Sequence, residues 1–360
     1  MRNWSVRLFL LTGSALLGGC MTLPANRTID CADAVAGPVI TYGPDGTART
    51  EIDVLTYNIE GLPFPARNNR PPYLRQIGER LAALRAEGRA PDIIVFQEVF
   101  SSAASRAVVA TGYPSIVSGP GARSRQAANE EGALPGRRRV LRGEIRPNFT
   151  NSGLVIATDY PVLNSNYVPY ARGSCAGFDC LSNKGALFAE VAIPGVPGAI
   201  DVFTTHMQAQ RASRVDPERF NEAHARQARE LSAFAEASGS LSFPTIIAGD
   251  FNLRNNDIRF YYFSRRVPLD NVHRFCIEQP DQCDVQMTWE HADQWRREQN
   301  LHFFQNGEFV RVRPIRAEGF FDGGPSGPVL ADHNGFRVTY ELTWATQGAP
   351  AAMCPARGPA

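Results

Sequence analysis

The chain has 360 residues, 43% of them apolar, far above the content of a disordered chain. Lys and Arg total 37 against 36 Asp and Glu, and a net charge of +1 argues against a protein that holds nucleic acid through bulk positive charge. Length alone suggests about two domains.

Residues 1–19 form an expected signal peptide. Arg2 and Arg7 give it a basic start, and Leu8–Gly19 is apolar or small throughout, too short a run to span a membrane. It ends in Leu17-Gly18-Gly19-Cys20, which resembles a bacterial lipobox and makes Cys20 the expected lipidation site. The protein is then an exported, membrane-anchored lipoprotein facing the periplasm or the cell surface. Loss of Arg2 and Arg7 leaves 35 basic against 36 acidic residues, a mature charge of −1. Residues 20–49 form a Pro/Gly/Thr-rich leader, 50–345 a folded catalytic domain and 346–360 an Ala/Pro/Gly tail.

Within 50–345, Ile52–Tyr57 is a predicted strand, and Leu74, Ile77, Leu81 and Leu84 recur at helical spacing. Ile93–Phe96 is a continuous buried-strand run. Residues 119–150 hold Arg123, Arg125, Arg137, Arg138, Arg139, Arg142 and Arg146 among Gly and Ser, an expected solvated loop or a basic lip beside an anionic substrate. Further predicted strands are Gly153–Ala157, Gly185–Ile193, Ile200–Thr205, Thr245–Ala248 and Phe336–Trp344, and a second helix fits Pro217–Ala237.

Removing Cys20 from the seven cysteines leaves six, an even number that suits disulfides in an exported chain. Fifteen pairings are available on paper. Short separations favour Cys175 with Cys180 and Cys276 with Cys283, leaving Cys31 for Cys354. No C-x-x-C pair points to zinc.

The chemistry lies where the strands end. The first is followed by Asn58, the second by Gln97-Glu98, Ile200–Thr205 by His206 and Gln208, and Thr245–Ala248 by Gly249-Asp250-Phe251-Asn252; Asp332-His333 precedes the last. Strands of packed sheets bring such ends to one rim, where ligands gather. Oxygen ligands from Asp, Glu and Asn suit a hard ion such as Mg²⁺, and His takes a proton near neutral pH. No Gly-x-Ser-x-Gly elbow is present, so metal-assisted attack of water on a phosphate ester is the expected reaction.

Asn58-Ile59-Glu60, Gln97-Glu98, Ser152-Gly153-Leu154, Thr205-His206-Met207-Gln208, Gly249-Asp250-Phe251-Asn252 and Asp332-His333 occur in the order of the endonuclease/exonuclease/phosphatase superfamily, which the sequence resembles over roughly residues 50–345. The resemblance implies an α/β fold, a four-layer sandwich of two packed mixed β-sheets flanked by helices, and one catalytic domain rather than two. Within that superfamily the chain is most similar to bacterial neutral sphingomyelinases. Ser182-Asn183-Lys184-Gly185 looks like their S-N-K-G segment, and Lys184 is the only lysine beside 36 arginines. An ammonium is a compact point donor to phosphate, where Arg is a planar fork. Asn58-Ile59-Glu60-Gly61-Leu62-Pro63 is similar to their N-x-x-x-L-P, and Phe320-Phe321, beside Gly323-Gly324-Pro325, stands near the place of their membrane-dipping aromatic tip.

By resemblance, Glu98 and Asn58 hold Mg²⁺ or another divalent cation, and His333 activates water. Asp250 and Asn252 orient water and phosphate, and His206 binds the phosphate or stabilises the transition state. Asp332 supports His333 or the metal, and Lys184 neutralises phosphate charge. The implied partners are a membrane sphingolipid and the bilayer, reached through Cys20 and Phe320-Phe321, with no nucleic acid, in a monomer. One departure stands out. Where the family carries L-D-Y-[IF], this chain has Leu301-His302-Phe303-Phe304, so His302 replaces the Asp that orients the catalytic His. The expected activity is phospholipase C-type cleavage of sphingomyelin or a related sphingolipid. The alternatives are an exported nuclease, an inositol-phosphate or phosphomonoester phosphatase, and a non-catalytic lipid-binding module.

Overall fold

The computed structural model describes residues 22–34, 37–128, 130–145, 147–287 and 298–356. Cys20, the signal peptide and Arg146 lie outside the described residues. In chain order the strands are β1 (Thr41–Tyr42), β2 (Thr47–Asn58), β3 (Ile93–Gln97), β4 (Ser115–Ser118), β5 (Val155–Thr158), β6 (Val162–Pro169) and β7 (Gly185–Val191). They continue as β8 (Ile200–His206), β9 (Thr245–Asp250), β10 (Asp270–Asn271), β11 (Asp284–Gln286), β12 (Asn300–Gln305), β13 (Val310–Phe320) and β14 (Gly335–Ala345). The helices are α1 (Arg70–Ala86), α2 (Ser102–Ala110), α3 (Pro217–Ser238), α4 (Asp257–Arg266) and α5 (Val272–Glu278).

The first sheet runs β11-β13-β14-β2-β3-β5-β4, with β1 paired to β2; the second runs β10-β12-β9-β8-β7-β6. Period-2 alternation sends neighbouring side chains to opposite faces. Val54, Ile93, Val95 and Ile156 of the first sheet therefore meet Leu187, Val191, Val202 and Ile246 of the second in an inner core. Leu55, Tyr57, Ile94 and Phe96 face outward onto Leu74, Ile77 and Leu81 of α1 and Ala104 and Val108 of α2. Phe188, Phe203 and Ile247 of the second sheet cover Ala228, Leu231 and Phe234 of α3 and Phe263 of α4. Each sheet is covered on both faces, which gives the four layers implied by the resemblance.

Three disulfides join the pairs favoured by spacing: Cys31–Cys354, Cys175–Cys180 and Cys276–Cys283, with Cα atoms 5.2, 5.2 and 4.8 Å apart. Such a set fits an oxidising compartment. Residues 22–30 lie along β4, where Arg27 pairs with Ile116 and Asn26 accepts from the Ser118 backbone N–H at 2.9 Å. No helix among the described residues is long and apolar enough to cross a membrane.

The expected aromatic tip is overturned. Phe320 and Phe321 are 2% and 0% exposed and belong to the core beneath α1. The Phe321 ring lies 5.6 Å from that of Tyr57, and the Phe321 backbone N–H donates to Ser326 Oγ at 2.7 Å. Gly323 closes back on Gly327, so the glycine-rich turn folds over the rings instead of displaying them.

Candidate active site

Two parallel pairs set the geometry. β2 runs parallel to β3, and β8 to β9, so Asn58, Glu98, His206 and Asp250 gather at one rim of the sandwich. Antiparallel neighbours start where these strands end. β5 beside β3 brings in Ser152-Gly153, β7 beside β8 brings Lys184, β14 beside β2 brings His333, and β12 beside β9 brings Gln299. The polar strand ends seen in the sequence are thus one constellation.

Asp250 is its hub and is 1% exposed. Asn58 Nδ2 donates to Asp250 Oδ2 at 2.9 Å and to Glu98 Oε1 at 3.1 Å, joining the two sheets. His206 Nε2 lies 3.4 Å and His333 Nδ1 3.8 Å from the same Asp250 oxygen. Asp250 Oδ1 accepts from the Asn252 backbone at 3.1 Å, while Asn252 Nδ2 donates to the Met207 carbonyl at 3.1 Å. Six of the predicted residues, Asn58, Glu98, His206, Asp250, Asn252 and His333, are therefore brought together.

The backbone is bent to achieve this. Glu98 and Asn252 take φ of 60° and 52°. Asn tolerates this left-handed region, whereas Glu there is strained by about 1 kcal/mol or more, a cost that collects at functional sites. Two motif glycines make room for Glu98. A Cβ on Gly61 would stand 2.2 Å from the Glu98 carbonyl oxygen, and one on Gly153 would stand 3.0 Å from the Glu98 Cα.

Electrostatics leave both halves of the site incomplete. Burial pushes the Glu98 carboxyl up to about 7, opposed by the charge of His333 and the Asn58 hydrogen bond. Asn58 is the sole hydrogen-bond partner of its side chain among the described residues. Burial holds His206 well below its ordinary range, and the charges of Lys184 and His333 add to this; its Nδ1 is buried without a partner among the described residues. A recessed, unneutralised carboxylate fits a divalent cation. No group of three or more His, Cys, Asp or Glu among the described residues forms a metal cage. Mg²⁺ suits such a site, because it uses one or two protein oxygens and leaves its other positions to water and phosphate. Glu98 would be the principal ligand. Asn58 Oδ1 accepts from the Glu60 backbone at 3.1 Å and keeps a second lone pair for the ion.

The remaining predicted residues sit around this centre. Lys184 Nζ, 5% exposed, donates to Asp179 at 3.0 Å and to the Met207 carbonyl at 2.9 Å, the same carbonyl that anchors Asn252. It forms the wall behind His206 and retains one N–H. Asp332 is at the edge: its carboxylate meets Arg67 at 3.1 Å and lies 4.0 Å from His333 Nε2.

His302 does not take the place of the family Asp beside His333. It is fully buried in the inner layer, with Nδ1 3.2 Å from the Tyr340 hydroxyl and Nε2 3.1 Å from the Phe336 carbonyl, and burial lowers it to about 3. The side chain that meets His333 is Gln299, whose Nε2 lies 3.1 Å from His333 Nε2. Asn300 beside it donates to the Asn334 carbonyl at 2.8 Å and steadies the turn. Glu60 was also missed in the sequence. It accepts from Arg67 at 2.8 Å and from the Asp332 backbone at 3.0 Å, locking the β2 and β14 ends together. A carboxamide just ahead of the L-H-F-F stretch was the available signal for Gln299. A cavity of ≈ 340 Å³ lies to one side, lined by Asn148, Cys175, Cys180 and Arg138 and by none of the residues above.

The model of the endonuclease/exonuclease/phosphatase family matches residues 55–345, the whole stretch that carries these residues. The chain belongs to the endonuclease/exonuclease/phosphatase family. No curated protein matches its sequence. Sphingomyelinase C from Streptomyces griseocarneus is similar in structure, with a TM-score of 0.56, 17% identity and coverage of 80% of this chain and 99% of that one. Beta toxin from Staphylococcus aureus, as a double mutant with bound magnesium ions, gives 0.57 at 15% identity, with 80% and 99% covered. D. rerio TDP2 complexed with a single-stranded DNA product gives 0.50 at 14% identity, with 81% and 98% covered. At these identities the likeness shows the fold, the two packed sheets of this endonuclease/exonuclease/phosphatase family member.

Proposed function

We propose that the protein is a Mg²⁺-dependent phosphodiesterase of phospholipase C type that converts sphingomyelin, or a related sphingolipid, to ceramide and a phosphorylated headgroup. The observation that carries the reading is the convergence of Glu98, Asn58, Asp250, Asn252, His206 and His333 on one recess, with the chain's lone lysine in its wall. The S-N-K-G segment and the structural likeness to a sphingomyelinase C support the lipid substrate over other phosphodiesters.

Mg²⁺ held by Glu98 and Asn58 would neutralise phosphate charge and polarise the phosphorus–oxygen bonds. The protein's own groups do the rest. Asp250 and the Asn252 amide orient water and a phosphate oxygen. With the Gln299 carboxamide turned to accept from His333 Nε2–H, the ring is fixed and Nδ1, on the side of Asp250, takes one proton from the attacking water as the new phosphorus–oxygen bond forms. The bond from phosphorus to the ceramide oxygen breaks, that oxygen gains a proton from solvent, and His333 returns its proton to solvent. Burial, with the charges of Lys184 and His333, favours the neutral ring of His206; a phosphate oxygen would give its Nδ1 an acceptor and favour the protonated ring. Lys184 adds fixed positive charge behind it.

A substrate panel tests the assignment. The chain without residues 1–20 is expected to cleave sphingomyelin in mixed vesicles with Mg²⁺ and to leave plasmid DNA and inositol phosphates intact. Turnover of DNA or phosphomonoesters with sphingomyelin untouched would transfer the protein to the nuclease or phosphatase branch. No Mg²⁺-dependent hydrolysis of any substrate, before or after His302→Asp, would leave a lipid-binding module.

A further inference from the structure

A segment beside the active site is built as a protrusion. Its base is rigid. Buried Arg219 on α3 holds Glu144 through two bonds of 2.8 and 2.7 Å and also donates to the Pro135 carbonyl at 2.8 Å. Glu144 accepts in turn from the backbone N–H of Gly177 at 3.0 Å, in the turn Gly177–Leu181. The tip is the opposite in character: Val140 is 50% and Leu141 98% exposed. The same Gly177–Leu181 turn displays Phe178, and Phe149, which bonds to the Leu181 carbonyl at 2.7 Å, is 62% exposed. A well-anchored turn that presents aliphatic and aromatic side chains to water loses solvation free energy unless something covers them.

The surroundings say what that cover is. Arg137, Arg138, Arg139 and Arg142 on the segment, with Arg211 and Arg214 on the adjoining turn, are all exposed. Arg142 donates to the Arg214 carbonyl at 2.9 Å, which brings the two groups together. Asp216 offsets Arg139 at 3.2 Å, and Glu144 is occupied by Arg219, so the rim of the apolar tip is strongly positive. Aliphatic side chains ringed by guanidiniums match the boundary of a bilayer with anionic headgroups. The two residues at the tip, Val140 and Leu141, offer bases no ring to stack on, and Phe149 and Phe178 stand at its flank, so a lipid boundary fits the tip better than single-stranded nucleic acid.

The position relative to the site is fixed by hydrogen bonds. Asn148 donates to the Ser182 carbonyl at 2.8 Å, and the Asn183 N–H bonds to the Thr150 carbonyl at 3.0 Å. The protrusion therefore leads directly into Ser152-Gly153 on one sheet and Lys184 on the other. We infer that the Val140–Leu141 tip, with Phe149, Phe178 and the surrounding arginines, is the surface by which this chain docks on an anionic lipid bilayer, taking the part that the buried Phe320 and Phe321 do not play. The inference rests on the lipid-substrate reading for its purpose, but binding tests it independently.

Vesicles of phosphatidylcholine with or without about one-third phosphatidylglycerol and no sphingomyelin are floated with the chain lacking residues 1–20, in EDTA. Wild type should float with the anionic vesicles and progressively less as salt rises. Val140→Ser with Leu141→Ser should weaken binding about tenfold to hundredfold, the value of one or two buried aliphatic side chains. Both residues are exposed, so the fold should be kept, and hydrolysis of a small water-soluble phosphodiester should be unchanged. Arg137→Ser with Arg211→Ser should remove much of the salt dependence; Arg138 is kept, because it donates to the Glu144 carbonyl at 3.1 and 2.8 Å and braces the segment. Vesicle binding equal to wild type in the Val140/Leu141 variant would overturn the inference. So would retention of a single-stranded oligonucleotide that only the arginine changes abolish, or a dimer in sedimentation that the tip changes dissolve. If the vesicle results hold but no lipid is hydrolysed, the docking surface stands and the catalytic reading falls.

Discussion

The two sheets reach the site with opposite chemistry. The first delivers Asn58 and Glu98, an acid raised to about 7 by burial; the second delivers His206 and Lys184, an imidazole kept neutral beside an ammonium. Asp250 joins them, taking the Asn58 amide from one side and facing His206 from the other. One half wants a cation and the other an anion. On the proposed reading, a metal and a phosphate arriving together would satisfy both. His333 stands at the seam, on the first sheet but 3.8 Å from the acid of the second.

That division can be broken one half at a time. Glu98→Ala should remove the cation half and cost about 10³-fold or more in turnover, with no rescue by added Mg²⁺. His333→Ala, at the seam, should cost about 10²–10⁴-fold. Lys184→Ala acts on the anion half and should lower turnover by about 10–10²-fold, with Lys184→Arg retaining more; thermal melts must accompany it, because the change strands Asp179. Equal turnover in both lysine variants would make the residue a structural tie. Gln299→Ala should lower kcat about tenfold with KM unchanged, since the side chain touches His333 and not the phosphate.

The smallest effect is on stability. The Glu98 pKa is raised in the fold, so its contribution favours folding at low pH and is lost as pH climbs from the ordinary carboxylate value of about 4.3 to about 7. Metal-free protein should melt at lower temperature across that window, Mg²⁺ should offset part of the loss at pH 8, and Glu98→Gln should make the profile shallower, with burial of Asp92 and Asp201, raised to about 6 and about 7, supplying the remaining slope. A profile with the same slope in wild type and Glu98→Gln would show that Glu98 is solvated rather than recessed.

Much of this was legible before the fold was seen. The order of motifs, each a polar residue at the end of an apolar strand, marked the rim, and the six cysteines paired by spacing. Two things were not legible, for physical reasons. Phe320-Phe321 beside Gly-Gly-Pro has the composition of an exposed tip, but the direction in which a turn folds depends on space under α1, which local sequence does not encode. The Asp-to-His change at His302 looked like damage to the catalytic His. In the fold His302 points into the inner layer, and His333 meets Gln299 instead, a contact between residues 34 positions apart. The 119–150 segment carried its arginines openly in the sequence; the exposure of Leu141 at its tip became visible only once Arg219 and Glu144 had fixed its base.

Ceramide release tests the central claim most directly. The chain lacking residues 1–20 is stripped with EDTA, given sphingomyelin vesicles, and assayed as Mg²⁺ is restored, beside Glu98→Gln. The account predicts no ceramide in EDTA, recovery in the wild type with Mg²⁺ and none in the variant. Ceramide produced in EDTA, or by Glu98→Gln at the wild-type rate, would contradict it.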